Sequence, residues 1–395
     1  MKDWPSVALG DIFEIARGGS PRPIQNFLTE EPDGVNWVMI GDASDSSKYI
    51  THTKKRILKT GVKNSRMVYP GDFLLTNSMS FGHPYIMKTS GCIHDGWLVL
   101  SNKKGVIDQD YFYHLLGSDL IYAEFSRLAS GSTVKNLNIE IVKGIKVSLP
   151  PLEEQRRIAA ILDKADGVRR KRKEAIRLTE ELLKSTFLEM FGDPVTNPKG
   201  WEIVKLGSLV VGQLNNGIFK KNHEYGGDTP VVWVKELFSG YTIDCSESRT
   251  LTPTDEEVKK FGLTKGDILF CRSSLNREGI GFNNVFDGMD FSALFECHII
   301  RVSLNQRKVN SIFLNYLLRF PGLRKQIIAK ANTVTMSTIG QSEIKKIEFY
   351  LPPKELQDKF EIFLRKIATN RTKLENKESE NLFNSLLQRA FRGEL

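Results

Sequence analysis

A proline pair followed by a long charged helix occurs twice in this chain, and that repetition limits what it can fold into more than any other feature. The first copy runs from Leu149 to Trp201. Leu149-Pro150-Pro151 forbids helix at its start, because proline has no N–H and biases the residue before it toward extended backbone. Between Glu153 and Met190 there is no proline and one glycine, Gly167. Apolar residues recur at three- and four-residue steps, among them Ile158, Ile161, Leu162, Ala165, Leu183, Phe187 and Met190. That is the period of an amphipathic helix. About 38 residues at ~1.5 Å each predict a rod of ~57 Å. A helix so long and so charged is a strut, and it needs a partner to cover its apolar seam.

The partner lies in the same chain. Leu351-Pro352-Pro353 repeats the proline pair 202 residues after Leu149, and Gln357 answers Gln155. A second helical segment is expected from Glu355 to about Arg392, and its end, Ser385 to Phe391, echoes Ser185 to Phe191 at an offset of 200. Trp4 to Gly10 matches Trp201 to Gly207 at an offset of 197. Near-constant offsets at separated landmarks mean an internal duplication. The expected division is a globular domain over 1–150, a central helical spacer over 151–195, a second globular domain over 196–352 and a C-terminal helical spacer over 353–395. The expected fold class is α/β (α+β): two similar mixed α/β domains joined by two long helices packed as an antiparallel coiled coil, with a pseudo-two-fold internal repeat.

Within the first domain, Val7 to Ile15 predicts a short helix or strand, and Val35 to Ile40 a strand containing Trp37. Met67 to Leu75 predicts a turn feeding a strand, Trp97 to Leu100 a buried strand, Tyr111 to Ser126 a helix, and Ile139 to Leu149 a final strand. The second domain repeats the order. Val231-Val232-Trp233-Val234 stands for Val35-Asn36-Trp37-Val38, Leu263 to Phe270 for Val68 to Leu75, and Ile312 to Ile328 for the late helix. Scaffold positions agree while the loops between them differ, which suggests two modules with different targets.

Composition enters as a filter. No apolar run is long enough to span a bilayer, and Met1-Lys2-Asp3-Trp4 has no signal-peptide character. The four cysteines, Cys92, Cys245, Cys271 and Cys297, form no C-x-x-C pair, so neither a zinc motif nor a disulfide framework is indicated, and a reducing cytoplasm is expected. A net charge of +9 is consistent with a polyanionic partner, and equally with a mildly basic protein that has none.

Catalytic motifs are missing. There is no glycine-rich cofactor turn with an Asn/Asp-Pro-Pro-aromatic loop, and no Walker-type phosphate loop. A nuclease cluster drawn from Asp244, Glu257 and Lys259 fits a solvated helix face over Glu256–Lys260 better. The histidines show no metal-ligand spacing, and His83 and His94 fit structural or DNA-facing roles. Expected catalytic and metal-binding residues are none.

The polar loops carry the candidate contacts. Arg17, Ser20 and Arg22 lie in a glycine-rich loop that bares backbone N–H groups, and Ser132, Thr133 and Lys135 lie in a second, both suited to phosphate. Their counterparts are Lys220, Lys221 and Asn222, and Thr333, Thr335 and Ser337. After a buried strand come Asn77, Ser78, Ser80 and His83 in the first domain and Arg272, Ser273, Ser274, Asn276 and Arg277 in the second. Arg and Asn suit bidentate contacts to base edges. The plainer reading is ordinary surface loops. The run Arg169-Arg170-Lys171-Arg172-Lys173 sits mid-helix beside Glu174, Glu180 and Glu181, and is taken as a solvated, charge-balanced face.

Three strings together resemble a known family. They are Pro150-Pro151-Leu152-Glu153-Glu154-Gln155, then Phe191-Gly192-Asp193-Pro194 through Asn197-Pro198-Lys199-Gly200-Trp201, and the terminal Ala390-Phe391-Arg392-Gly393-Glu394-Leu395. The whole chain resembles the specificity (S) subunit of type I restriction–modification systems, although Lys354-Glu355-Leu356-Gln357 departs from the first copy's Leu-Glu-Glu-Gln. The resemblance implies a non-catalytic subunit with two target-recognition domains. It implies binding to double-stranded DNA, two methyltransferase (modification) subunits that use S-adenosylmethionine, and, in full systems, two translocase/endonuclease (restriction) subunits that use ATP and Mg2+. No cofactor is expected in this chain itself. Antiparallel struts would present the two domains to DNA in inverted orientation, so that an asymmetric bipartite target is read with a gap set by the helices. A modification-only or orphan complex, and a self-contained DNA-processing enzyme, are the alternatives.

Overall fold

The structure, a computed structural model, describes residues 4–43, 48–77, 81–102, 105–129, 136–333, 337–375 and 378–395. It divides into two compact units, Met1–Glu174 with Asn376–Leu395, and Ala175–Glu375. The division falls inside one continuous helix, Leu152–Phe191, so each unit holds one half of it.

In the first unit a sheet runs in the order Phe13–Arg17, Trp97–Asn102, Phe73–Thr76, Pro84–Met87, Tyr49–Ile50. A second sheet runs Leu28–Thr29, Lys55–Ile57, Val35–Val38, Gly91–Ile93, Arg66–Val68. Strands Ser6–Ala8 and Lys146–Ser148 pair antiparallel and bring the start of the domain to the foot of the long helix. The second unit keeps the central plan. Asn215–Asn216, Ile299–Val302, Ile268–Cys271 and Asn283–Val285 form one sheet, and Thr250–Leu251, Thr229–Val232 and Leu294–Phe295 another. Glu202–Lys205 pairs with Glu348–Leu351 as Ser6–Ala8 does with Lys146–Ser148.

In each unit an antiparallel helix pair packs against a domain helix, Gln109–Leu116 in the first and Ser311–Leu318 in the second. In the first, Arg157 reaches the Leu395 backbone oxygen while Arg169 pairs with Glu380. In the second, Glu180 meets Arg371 while Phe187 and Phe191 meet Phe360. Phe187, Phe191, Phe313 and Phe360 are buried at 0% exposure, and truncating a side chain so buried costs about 3–5 kcal/mol. Tyr111 and Phe391 make the corresponding contact in the first unit. The basic run at mid-helix is paired, with Arg169 and Arg170 on Asp166 and Lys173 beside Glu380.

Phe191 to Trp201 is the stop signal of the long helix. Gly192 adopts φ +81, a conformation that a side chain would strain, and Pro198 packs over it. Lys199 Nζ caps the carbonyls of Glu189 and Met190, and Trp201 Nε1 donates to the Phe191 carbonyl.

Several local expectations change. Ile139 to Leu149 is not one strand: Asn138 caps a helix over Ile139–Gly144 by accepting from Ile141 N–H, and only Lys146–Ser148 is extended. The helix expected over Tyr111–Ser126 is two, Gln109–Leu116 and Asp119–Leu128, because Gly117 ends the first and Ser118 caps the second. Pro321 likewise begins a new helix after Ser311–Leu318. The C-terminal helical segment divides into Lys354–Leu374 and Glu378–Phe391. Trp233 is not the counterpart of Trp37. Val38 pairs with Ile93 as Val232 does with Phe295, so Trp37 corresponds to Val231 and Trp233 to Met39.

Candidate nucleic-acid interface

One turn in each unit gathers the loops. It is His94-Asp95-Gly96 between strands Gly91–Ile93 and Trp97–Asn102, and Glu296-Cys297-His298 between Leu294–Phe295 and Ile299–Val302. Five backbone hydrogen bonds are common to both. Gly18 N–H donates to Trp97 O and Gly217 N–H to Ile299 O; Gly19 donates to Ile93 O and Ile218 to Phe295 O. Asn77 donates to Gly96 O and Arg272 to His298 O; Leu137 donates to Asn77 O and Ile339 to Arg272 O. Trp97 N–H closes the first turn on His94 O, and Ile299 N–H the second on Glu296 O. The scaffold at this point is therefore the same in both units, and the side chains on it differ.

In the first unit, four sequence candidates converge on Asp95. Arg17 Nε donates to its carbonyl at 3.1 Å, and buried Asn77 Nδ2 donates to the same oxygen at 2.7 Å. Ser20 Oγ donates to its carboxylate at 2.9 Å, and Arg22, 83% exposed, pairs with it at 3.6 Å. The Ser20 hydroxyl, aided by Arg22, holds the Asp95 carboxyl below the usual carboxylate range. Burial pulls the adjacent His94 imidazole below its ordinary value. His83 is elsewhere, exposed at the edge of a cavity of about 460 Å3 beside Tyr113, Asp166 and Arg169. Ser78, Ser80, Ser132, Thr133 and Lys135 lie outside the described residues.

In the second unit Arg272 takes the place of Asn77. Its Nη1 donates to Cys297 O at 3.4 Å, the carbonyl equivalent to that of Asp95, and its side chain is exposed. Ser273 Oγ contacts His298 Nδ1, and Ser274 pairs in register with Ser337, which is buried. Thr333 pairs opposite Ser337, but its side chain, and all of Thr335, lie outside the described residues. Asn276 caps a short turn through Glu278 N–H, and Arg277 is exposed beside it. Ser273, Ser274 and Asn276 line an open cavity of about 590 Å3 with Trp233, Arg249 and Leu275.

Lys220 does not project freely. Its ammonium sits 2.7 Å from Glu257 and 3.7 Å from Glu224, and the Glu257 hydrogen bond raises its pKa. Lys221 and Asn222 are exposed, and Asn222 Oδ1 accepts from Arg249 at 3.3 Å. Arg249 stacks over Tyr225 and Trp233 at 3.9 and 5.2 Å, and so connects this loop to the cavity. Sequence reasoning missed Asp95, Arg249, Trp233 and the Glu296-Cys297-His298 turn. A turn tripeptide between two apolar strands was the available signal for Asp95. None existed for Arg249, which lies far from its partners in sequence.

The chemistry on offer is recognition. Exposed guanidinium groups of Arg17, Arg22, Arg272 and Arg277, interleaved with Ser and Asn, are donors suited to phosphates and base edges.

A family model described as the type I restriction modification DNA specificity domain matches residues 1–178 and again residues 198–383. The chain belongs to that family. The two matches fall on the two copies of the duplication. The MjaIX specificity subunit of a type I restriction enzyme from Methanocaldococcus jannaschii is 26% identical over 380 residues, covering 91% of this chain and 85% of the relative. The EcoKI specificity subunit from Escherichia coli strain K12 is 22% identical over 418 residues, covering 99% and 89%. Among solved structures, a type I restriction–modification S subunit from M. genitalium shares the fold at a TM-score of 0.59 and 14% identity, over 98% of this chain and 96% of that one. A chain from a structure on the assembly and conformational transition of the type I R-M system matches at 0.51 and 20%, over 100% and 99%. The duplicated mixed α/β fold with its long helix is the fold of this family's S subunits. Among the described residues no helix is long and apolar enough to cross a membrane.

Proposed function

We propose that this chain is the target-reading specificity subunit of a type I restriction–modification complex. Each unit reads one half of an asymmetric, bipartite double-stranded DNA site, and the helices set the gap between the halves. The helix surfaces recruit two modification subunits and, where the system contains them, two restriction subunits. S-adenosylmethionine, ATP and Mg2+ belong with those partners, which carry the chemistry; this subunit is non-catalytic. The complex works in the cytoplasm.

The observation that supports this reading best is the shared hydrogen-bonded turn with different side chains on it. Two equal scaffolds presenting Arg17, Ser20, Arg22 and Asn77 in one case, and Arg272, Ser273, Ser274 and Asn276 in the other, suit two half-sites of unlike sequence. A net charge of +9 suits the polyanion.

The test is methylome sequencing of a host expressing the chain with its cognate modification subunit. One bipartite motif, methylated at adenine on both strands and lost when the chain is deleted, is the expected result. No motif from an intact complex with an active modification subunit overturns the proposal.

A further inference from the structure

The turn Glu296-Cys297-His298 holds more than its counterpart does. Ligand atoms of all three side chains lie within 4.8 Å of one another, and among the described residues no other group of three His, Cys, Asp or Glu side chains comes so close. Consecutive residues in a strand point to opposite faces. Here the chain turns, closed by Ile299 N–H on Glu296 O at 3.1 Å, and the three side chains converge. The Glu296 carboxylate folds back over the turn and accepts from His298 N–H at 2.9 Å. Ser273 Oγ contacts His298 Nδ1 and fixes the ring's orientation, the part that an outer partner plays for a ligating imidazole.

The Glu296 carboxyl is the buried member of the three. Glu296 is 3% exposed, and no Lys or Arg forms an ion pair with it among the described residues. A buried carboxylate is costly unless it is protonated, paired with a cation or bound to a metal. The first unit carries no buried carboxylate here: His94 stands where Glu296 does, Asp95 lies at the surface tied to Ser20 and Arg22, and the third position is Gly96.

We infer that Glu296, Cys297 and His298 form a binding site for a divalent transition-metal ion of the zinc class. A carboxylate oxygen, a thiolate and an imidazole nitrogen are ligands that zinc takes, at about 2.0–2.3 Å each. Tetrahedral geometry at those lengths places ligands about 3.3–3.8 Å apart, so the side chains close on the ion by movements of about an ångström. The thiol gives up its proton to solvent on binding, and the fourth position is left to water on the side of the cavity that Glu296 and His298 line. The sequence hides the site because the ligands are adjacent and lack the spacing of known zinc motifs. The inference stands apart from the DNA reading, since metal binding is measured without DNA.

The experiment titrates the full-length, metal-stripped chain with Co2+ and follows the thiolate-to-metal charge-transfer absorption. The expected result is one equivalent of Co2+ with that absorption, displaced by Zn2+. Cys297→Ser abolishes the band while circular dichroism stays unchanged, and Cys245→Ser keeps it. Ser273→Ala weakens Co2+ affinity about tenfold, the low end for loss of an outer-shell partner. No charge-transfer band at excess Co2+, or a band that survives Cys297→Ser, overturns the assignment.

Discussion

Gln155 and Gln357, 202 residues apart, make the same pair of buried hydrogen bonds. Gln155 Oε1 accepts from Asp108 N–H at 2.7 Å and its Nε2 donates to Pro150 O at 2.9 Å. Gln357 Oε1 accepts from Asn310 N–H at 2.8 Å and its Nε2 donates to Pro352 O at 2.7 Å. Both side chains are 0% exposed. Asp108 and Asn310 each cap the helix that follows them, so each glutamine ties the start of a strut to the cap of a domain helix. Leucine at either position strands a buried N–H and a buried carbonyl at about 1–3 kcal/mol each. Gln155→Leu and Gln357→Leu are expected to lose about 2–4 kcal/mol in denaturant unfolding.

Gly18 and Gly217 are constrained by close approach rather than by an unusual φ. A Cβ on Gly18 would lie 2.0 Å from His94 O, and one on Gly217 would lie 2.1 Å from Phe295 O. Both obstacles are backbone carbonyl oxygens, one of the turn and one of the strand leading into it, and cannot swing away. Gly18→Ala and Gly217→Ala are each expected to cost roughly 3 kcal/mol or more, a size reserved for named steric or burial defects. Thermal unfolding measures this, and Gly41→Ala and Gly240→Ala, whose Cβ atoms meet nothing within 4 Å at ordinary φ, are the controls expected to cost far less.

The pH dependence of the first unit centres on Asp163. Lys48, almost fully buried, lies 2.8 Å from it and 2.6 Å from Asp110, and His114 Nε2 is 2.8 Å away. Burial pushes the Asp163 carboxyl up, but the hydrogen bonds to His114 and Lys48 outweigh it and hold the carboxyl at about 2, below the ordinary 3.8. A carboxyl lowered in the folded state contributes stability above its unfolded value, and that contribution is lost as pH falls through the folded value. Because the side chain is 35% exposed, solvent screening leaves on the order of 1 kcal/mol. Stability curves of the wild type and Asp163→Asn should therefore converge between about pH 4 and pH 2, and separate above.

Asp95 organises the first unit's polar loop without being a donor itself. Asp95→Ala removes the acceptor of Ser20 and the ion partner of Arg22. The expected outcome is relaxed specificity at one half-site, about 1–3 kcal/mol of discrimination per base pair, with the other half-site unchanged. Methylome sequencing reads both halves in one experiment.

Glu180 and Arg371 meet at 2.7 Å across the helix pair of the second unit, which fixes the register for a length change. Four residues inserted between Thr179 and Ser185, matched by four beside Arg371, lengthen the strut by ~6 Å. The recognised gap should grow by about two base pairs at ~3.4 Å each, with both half-sites retained. A changed half-site contradicts the proposed role of the helices.

The duplication, the strut and its stop signal were legible because each is local. Prolines and apolar periodicity act on neighbouring residues, and Pro150, Gly192 and the Phe187–Phe191 pair act where sequence places them. The match of Leu263–Phe270 to Val68–Leu75 also holds in space, since Tyr69 N–H bonds Asp72 as Thr264 N–H bonds Asp267. Caps were less legible. Asn138 and Ser118 decide helix starts by single hydrogen bonds, which apolar runs such as Ile139 to Leu149 conceal.

By itself, then, the sequence determined the repeat, the length of the first strut helix and the residue types on the polar loops, since these follow from spacing and backbone chemistry. The tertiary structure alone decided which of those residues meet. Arg17, Ser20, Arg22 and Asn77 share Asp95 because a strand and two loops, up to 78 residues apart, cross at one turn. Lys220 is held by Glu257 because a distant helix reaches it, and Trp233 lines an open cavity because it follows the end of strand Thr229–Val232, two places beyond the position of Trp37.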